Sequence, residues 1–242
     1  MMKVFCLDTE TTAWMRTWRV VQYAIVSDGY EWERLVKPPT RISPATIKVH
    51  RITPAMVKNE PKFTDTLWYH ELIRRIHEGE YLIAHHARFD VSILANEWVS
   101  VPRYICSCKV ARKILKPEWV PRFGLQFLKE YLDLERLYAK QKLTGYAHSA
   151  LYDTKVLYWL YMYLYSKIEI LYPNKDPHEV MREITYDYKP LTRLSFGKYK
   201  WMSLTAISQK DKWYLIWLYN SEKKNSVPRQ SLLRGIEECL NW

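Results

Sequence analysis

The run Lys3-Val4-Phe5-Cys6-Leu7-Asp8-Thr9-Glu10-Thr11 is apolar and β-prone up to Leu7, then turns acidic. Side chains alternate between the faces of a strand, so Val4, Cys6, Asp8 and Glu10 share one face. A strand built this way must bury its body in a sheet while its tip offers hard oxygen ligands. Such ligands suit Mg²⁺ or Mn²⁺. An Asp-x-Glu by itself is just as well a solvated strand end. The pattern becomes a site only if more acids arrive at matching ends of other elements.

The following stretches set those ends. Met2–Asp8, Val20–Ser27 and Trp32–Val36 read as three antiparallel strands, with Asp28-Gly29 as a hairpin turn and Pro38-Pro39 as a stop. Ser43-Pro44 and Thr53-Pro54 each open a helix with a capping hydroxyl and a first-turn proline. Thr64–Glu78 reads as one amphipathic helix with Leu67, Leu72, Ile73 and Ile76 on its apolar side. Tyr81–His85 is a short buried strand that runs into a helix carrying Val91, Ile93, Leu94 and Trp98. Tyr104–Cys108 reads as a strand, Lys109–Leu115 and Gly124–Tyr131 as helices, and Ser149–Tyr172 as the longest helix, capped by Ser149. Strands that alternate with helices after an antiparallel start define an α/β sheet of mixed direction.

Three units follow from this reading: a domain over residues 1–172, a proline-bearing linker over 173–190 holding one helix near His178–Ile184, and a small basic module over 191–242. At 242 residues, 48% of them hydrophobic, the chain can bury a sizeable core. Its formal net charge of +11 exceeds what folding needs and argues for a polyanionic partner. No apolar run approaches membrane length, and no charged-then-apolar leader opens the chain. Cys6, Cys106, Cys108 and Cys239 lack zinc spacing and fit a reducing, cytoplasmic setting. Cys106 and Cys108 are expected to line one strand face.

Four acids and one histidine fall where strands end and helices begin, the place where α/β sheets collect their sites. Asp8 and Glu10 end the first strand, Asp90 stands at the mouth of a helix, and Asp153 lies in the first turn of the long helix. Four gathered carboxylates repel one another unless cations join them. Two divalent ions would satisfy them, and such pairs promote phosphoryl displacement. His148, placed in the loop before the Ser149 cap, can swing toward an attacking water and take its proton.

Asp8-Thr9-Glu10-Thr11, His85-His86-Ala87-Arg88-Phe89-Asp90 and His148-Ser149-Ala150-Leu151-Tyr152-Asp153 resemble the three motifs of the DEDDh, DnaQ-like 3′→5′ exonucleases, in the right order over about residues 1–165. A tyrosine-type relative would carry Tyr at position 149, which is Ser here. The resemblance implies an RNase H-like fold: a mixed five-stranded sheet with helices on both faces. It also implies metal-dependent release of nucleoside 5′-monophosphates from the 3′ end of DNA. Metal would be held by Asp8, Glu10, Asp90 and Asp153, with His148 as general base. Ile42–Thr53 resembles the family segment that closes over the terminal nucleotide, with His50 at its contacting histidine and the Thr11 backbone and Phe89 nearby. The family favours Gly where Arg51 stands and Asn where His86 stands.

From Leu191 onward, Phe196-Gly197-Lys198-Tyr199-Lys200 and Lys212–Leu218 resemble the C-terminal module of exodeoxyribonuclease X-type proteins. Lys198, Lys200 and Trp201 combine charge with a stacking face, as nucleic-acid surfaces do. Lys109 and Arg112 belong to a second basic stretch that suits a phosphate backbone. An RNA-trimming enzyme of the same fold is an alternative, separated by how the pocket treats the 2′-hydroxyl. A polymerase-associated proofreading or nucleic-acid-binding accessory protein is another, disfavoured because an idle site has no reason to keep repelling acids. Oligomeric state stays open.

Overall fold

The computed structural model describes residues 3–13, 18–139, 143–225 and 227–242. Met2, placed in the first strand by the sequence pattern, lies outside them. The chain divides into two compact units, Met1–Thr185 and Tyr186–Trp242.

In the first unit, β1 (Val4–Thr11), β2 (Val20–Ser27) and β3 (Tyr30–Leu35) form an antiparallel meander. Helices α1 (Pro44–His50), α2 (Pro54–Val57) and α3 (Leu67–His77) follow. Strand β4 (Tyr81–Ala84) then pairs parallel with β1, matching Val4 to Tyr81 and Cys6 to Ile83. After α4 (Arg88–Asn96), β5 (Tyr104–Cys106) adds to β4, again parallel. The sheet order β3-β2-β1-β4-β5 puts β1 at the centre, so its carboxylates leave from the middle of the sheet.

The unit continues through α5 (Ser107–Ile114), α6 (Leu125–Tyr131), α7 (Leu134–Tyr138), α8 (Ala150–Leu171) and α9 (Pro177–Tyr186). Cys6, Ile83 and Ile105 face Leu157, Leu160 and Leu164 of α8 in one buried cluster. The opposite sheet face takes α3 and its approach: Tyr23 meets Phe63 edge-on at 5.1 Å, and Trp32 meets Trp68 at 5.0 Å. This is the RNase H-like arrangement, a mixed five-stranded sheet with helices on both sides.

Several expectations need correction. Thr64–Glu78 is not one helix. A 3₁₀ turn, Phe63–Asp65, is broken at Thr66, whose hydroxyl accepts the Tyr69 N–H and so starts α3 at Leu67. The buried stripe is then Trp68, Leu72 and Ile76, four residues apart, while Leu67 is 86% exposed. Cys106 and Cys108 do not share a strand: β5 ends at Cys106, and Cys108 is buried in α5. The expected linker over 173–190 is mostly not one. Val180 and Met181 of α9 join the α8 core, and the Thr185 hydroxyl accepts the Cys106 N–H at 3.0 Å. That apolar pair, about three-quarters of the way along the chain, holds α9 to the first unit.

In the second unit α10 (Leu204–Lys210), α11 (Lys212–Lys223) and α12 (Gln230–Leu240) pack around Leu194, Ile207, Leu215, Leu218 and Ile236. Gly235 lets α12 touch the entering chain, for a Cβ there would stand 2.1 Å from the Leu191 carbonyl oxygen. The Phe196–Lys200 motif is held by one acid. Asp211 caps α11 through the Tyr214 N–H at 3.1 Å, accepts the Tyr199 hydroxyl at 2.8 Å and pairs with Lys198 at 3.2 Å. Among the described residues no helix is long and apolar enough to cross a membrane.

Candidate active site

The four acids meet. Asp8 and Glu10 leave β1 on the face that receives α8, opposite Ala24 and Gln22 of β2. Asp90 sits in the first turn of α4 and Asp153 in the first turn of α8. Two helix N-termini therefore point at the cluster, and their dipoles partly offset its negative charge.

The offset is incomplete. Burial, then Asp90, Glu10 and Asp153 in that order, hold the Asp8 carboxyl well above the usual carboxylate range. Burial, then Asp153 and Asp90, push Glu10 up to about 8. Burial pushes Asp90 up to about 7, against the hydroxyl of Thr9, which donates to its Oδ1 at 2.8 Å. Asp153 is raised by burial, less so because the His148 N–H donates to its Oδ2 at 2.9 Å and Gln126 donates to its Oδ1. Mutually repelling acids held in place by neutral donors form a nest that a divalent cation relieves.

One ligand atom each from Glu10, His148 and Asp153 lies within 4.8 Å of the other two. His148 is exposed, with φ +67°. It stands outside α8, at the loop position the Ser149 cap requires, and only its backbone is pinned to Asp153. The imidazole is therefore placed at the acid cluster, near Glu10 and Asp153. Ser149 does occupy the cap position, but its side chain does not cap. Gln22 Oε1 accepts the Ala150 N–H at 3.1 Å and Glu33 Oε1 accepts the Leu151 N–H at 3.2 Å, so β2 and β3 hold the start of α8.

His50 is buried and both its nitrogens are engaged. Nδ1 accepts the Ile52 N–H at 3.0 Å, so Nε2 carries the proton and donates to the Thr11 carbonyl at 3.2 Å. Burial lowers its pKa, and the ring stays neutral. Arg51 and His86 both occupy the left-handed region, at φ +63° and +64°. That accounts for the family preference for Gly and Asn there, residues that adopt this region most readily. Arg51 lies over the Tyr146 ring at 4.5 Å, tying the His50 turn to the loop that carries His148. The Phe89 ring meets Trp18 at 4.8 Å, tilted by 48°.

Residues expected farther out have local partners of their own. Lys109 donates to the Thr185 carbonyl at 2.6 Å, and Arg112 lies over Phe123 at 5.6 Å. Lys198 pairs with Asp211, and Lys200 lies over Trp201 at 5.1 Å in the second unit. The sequence reading missed Thr9 and Gln126. Thr9 stood inside the first motif, where a hydroxyl between two acids is a signal in itself. Gln126 had none.

A central strand, two helix mouths and a loop histidine around crowded carboxylates define a nuclease of the RNase H-like class. Residues 5–161 match the family model "Exonuclease", and the chain belongs to that exonuclease family. Its DEDDh members are divalent-metal dependent, and the acid nest fits that donor chemistry. Over 221 residues the chain is 29% identical to exodeoxyribonuclease 10 of Escherichia coli strain K12, covering 89% of this chain and 90% of that protein. The solved structure of exonuclease X in complex with 5′ overhanging duplex DNA superposes with a TM-score of 0.53 at 26% identity, over 75% of this chain and 99% of that one. The nuclease domain of 3′hExo, a DEDDh family member bound to rAMP, shares the fold at 15% identity and a TM-score of 0.50, over 69% of this chain and 91% of that one.

Proposed function

We propose that this exonuclease removes nucleotides one at a time from the 3′ end of DNA, using Asp8, Glu10, Asp90 and Asp153 as ligands and His148 as general base. The observation that carries the reading is the convergence of four carboxylates, with Asp8 and Glu10 each raised by the other acids, beside a loop histidine that lies with Glu10 and Asp153. Likeness to exodeoxyribonuclease 10 along nearly the whole chain supports DNA over RNA.

Asp8, Glu10 and Asp153 would hold one Mg²⁺ or Mn²⁺, and Asp8 with Asp90 a second. When bound, these ions supply positive charge to the attacking water and the departing 3′ oxygen. The chain does the rest. His148 takes the water's proton as the oxygen attacks the last phosphodiester, and the P–O3′ bond breaks to release a nucleoside 5′-monophosphate. Thr9 fixes Asp90 and Gln126 fixes Asp153, so the ligands keep one orientation. His50 acts through Thr11, whose carbonyl it holds, and Phe89 offers a ring beside the terminal nucleotide. No base-edge reader is assigned, so sequence preference is weak. The free cysteines suit a reducing, cytoplasmic setting.

The second unit adds grip on DNA through Lys200 and Trp201, with Lys198 more constrained by its pairing to Asp211. Lys109 and Arg112 contribute basic charge on α5. A time course on 5′-labelled single-stranded, duplex and RNA oligonucleotides, with and without EDTA, tests the whole reading. A ladder shortening from the 3′ end of DNA, stopped by EDTA, is the expected result. Faster digestion of RNA would transfer the activity to the ribonuclease alternative.

A further inference from the structure

Exposed indoles occur in both units, Trp98 and Trp119 in the first, and Trp201 at 66%, Trp213 at 78% and Trp217 at 61% among those of the small second unit. Indoles this open are costly to leave in water, and an isolated small module has core positions to spare for them. Trp213 and Trp217 are four residues apart on α11, so they share a face. At 100° per residue, Asn220 and Lys224 extend the same stripe, and both are exposed. The stripe thus reads aromatic, aromatic, amide, cation.

The acids near α11 are each engaged, Glu237 by the Tyr219 hydroxyl at 2.6 Å. Asp211 is held by Lys198, Tyr199 and the Tyr214 N–H. Glu222 is buried and bonded to Arg229, through its N–H and its guanidinium, both at 2.6 Å. Residues 186–242 hold ten basic and five acidic side chains, a net +5. Trp217 is steadied from behind by Tyr214, whose ring lies 5.6 Å away, and Tyr214 in turn by Tyr199 at 5.0 Å.

We infer that the exposed face of α11, carried by Trp213 and Trp217 with Lys224 at its end, is a stacking platform for unpaired nucleotides. This builds on the nucleic-acid reading above and assigns residues and a strand state that the reading did not contain. A duplex keeps its base faces buried in its own stack, so indoles on a flat helix face can stack only on bases that are unpaired. The two ring positions are about 6 Å apart along the helix axis, wider than the ~3.4 Å step of stacked bases, which suits an extended single strand. The positive surround attracts the strand's phosphates and would repel a basic protein face.

The test uses the full chain in EDTA, so that binding is read without cutting. Anisotropy of a labelled thymidine oligonucleotide and of a blunt duplex is measured for the parent, the Trp213→Ala/Trp217→Ala double variant and the Trp213→Phe/Trp217→Phe double variant. The alanine pair is expected to weaken single-strand binding at least tenfold, because each base–aromatic stack removed is worth roughly 5- to 150-fold. The phenylalanine pair should keep most of the affinity, and duplex binding should not move. Lys224→Gln should reduce the salt dependence of single-strand binding by about 0.7 in slope. Circular dichroism checks that the alanine pair remains folded. Single-strand affinity equal to the parent's would overturn the inference. So would an equal loss on strand and duplex, or a change of oligomeric state, which would make the face a protein contact. A chain that bound through the indoles but never cut DNA would break the nuclease reading alone.

Discussion

The two units break opposite rules. In the first, carboxylates that should be solvated are crowded together, Asp90 and Asp153 buried and Asp8 and Glu10 half-buried, which pushes Glu10 up to about 8 and Asp90 up to about 7. In the second, two indoles four residues apart on one helix face are open to solvent. Each departure disfavours the isolated chain and is relieved by a ligand of complementary chemistry: a divalent cation for the acids, an aromatic base for the indoles. The acids are held in place by named donors, Thr9, Gln126 and the His148 backbone. The indoles are held by the helix itself, with Tyr214 beside Trp217 at 5.6 Å. The contrast suggests a division of labour, with chemistry in the first unit and strand capture in the second.

The sharpest way to break that division is Asp8→Ala. Release of mononucleotides from a 3′-labelled oligonucleotide should fall to background, while oligonucleotide affinity in EDTA stays or improves, because one repelling charge is gone. Undiminished release would remove Asp8 from the site. His148→Ala should slow release by roughly 10²–10⁴-fold, the usual contribution of a general base. An unchanged rate would make the histidine a bystander. Gln126→Ala comes next, at roughly 10–100-fold in activity or metal affinity, the ordinary cost of losing a partner that orients a ligand. Gln126→Glu should be worse than alanine, because it adds a fifth acid beside Asp153. A neutral outcome for both would show that Asp153 is held well enough by the backbone of His148.

How far these residues could be read in advance follows from how local their causes are. Asp8, Glu10, Asp90 and Asp153 each sit at the end of a strand or the start of a helix, and periodicity with capping chemistry locates such ends from a few neighbouring residues. The β3-β2-β1 meander was legible for the same reason, from Asp28-Gly29 and the flanking apolar runs. Gln126 was not, because its partner lies 27 residues away on another helix. Nor were the carbonyl and carboxylate oxygens of Gln22 and Glu33 that start α8, which come from more than a hundred residues upstream. Ser149 looked sufficient as a cap, and a long-range pair displaced it. Pro173, Pro177 and Pro190 made 173–190 look like a linker, yet Pro177 opens α9, where a first-turn proline is favourable.

A smaller effect sharpens the account of the acids without any turnover. Asp90 and Glu10 have folded-state values of about 7 and about 8, raised from ordinary values of 3.8 and 4.5. The metal-free folded chain therefore holds protons that the unfolded chain releases. Its stability is full below about pH 4 as far as these groups go, and is lost as pH climbs toward 8. The melting temperature in EDTA should fall between pH 5 and pH 8, and saturating Mg²⁺ should restore it at pH 8. Asp8→Asn should flatten the fall. A flat profile in EDTA for the parent would mean the acids stay hydrated and the nest is looser than described.

The smallest expected effect probes the other side of the comparison. Gly235→Ala places a methyl group 2.1 Å from the Leu191 carbonyl oxygen, a contact with backbone that no rotamer can relieve. Overpacking of this kind costs about 1–3 kcal/mol. The strain falls where α12 meets the chain entering the module, so amide exchange should quicken across α10, α11 and α12 and stay as it was in β1 and α8. Under that pattern, single-strand affinity drops only at temperatures where the module opens, and hydrolysis of a dinucleotide is untouched at every temperature. Exchange that quickened equally in β1 would show that the two units unfold as one. The acids and the indoles would then share a single stability, and the division of labour between them would have no energetic boundary at Thr185.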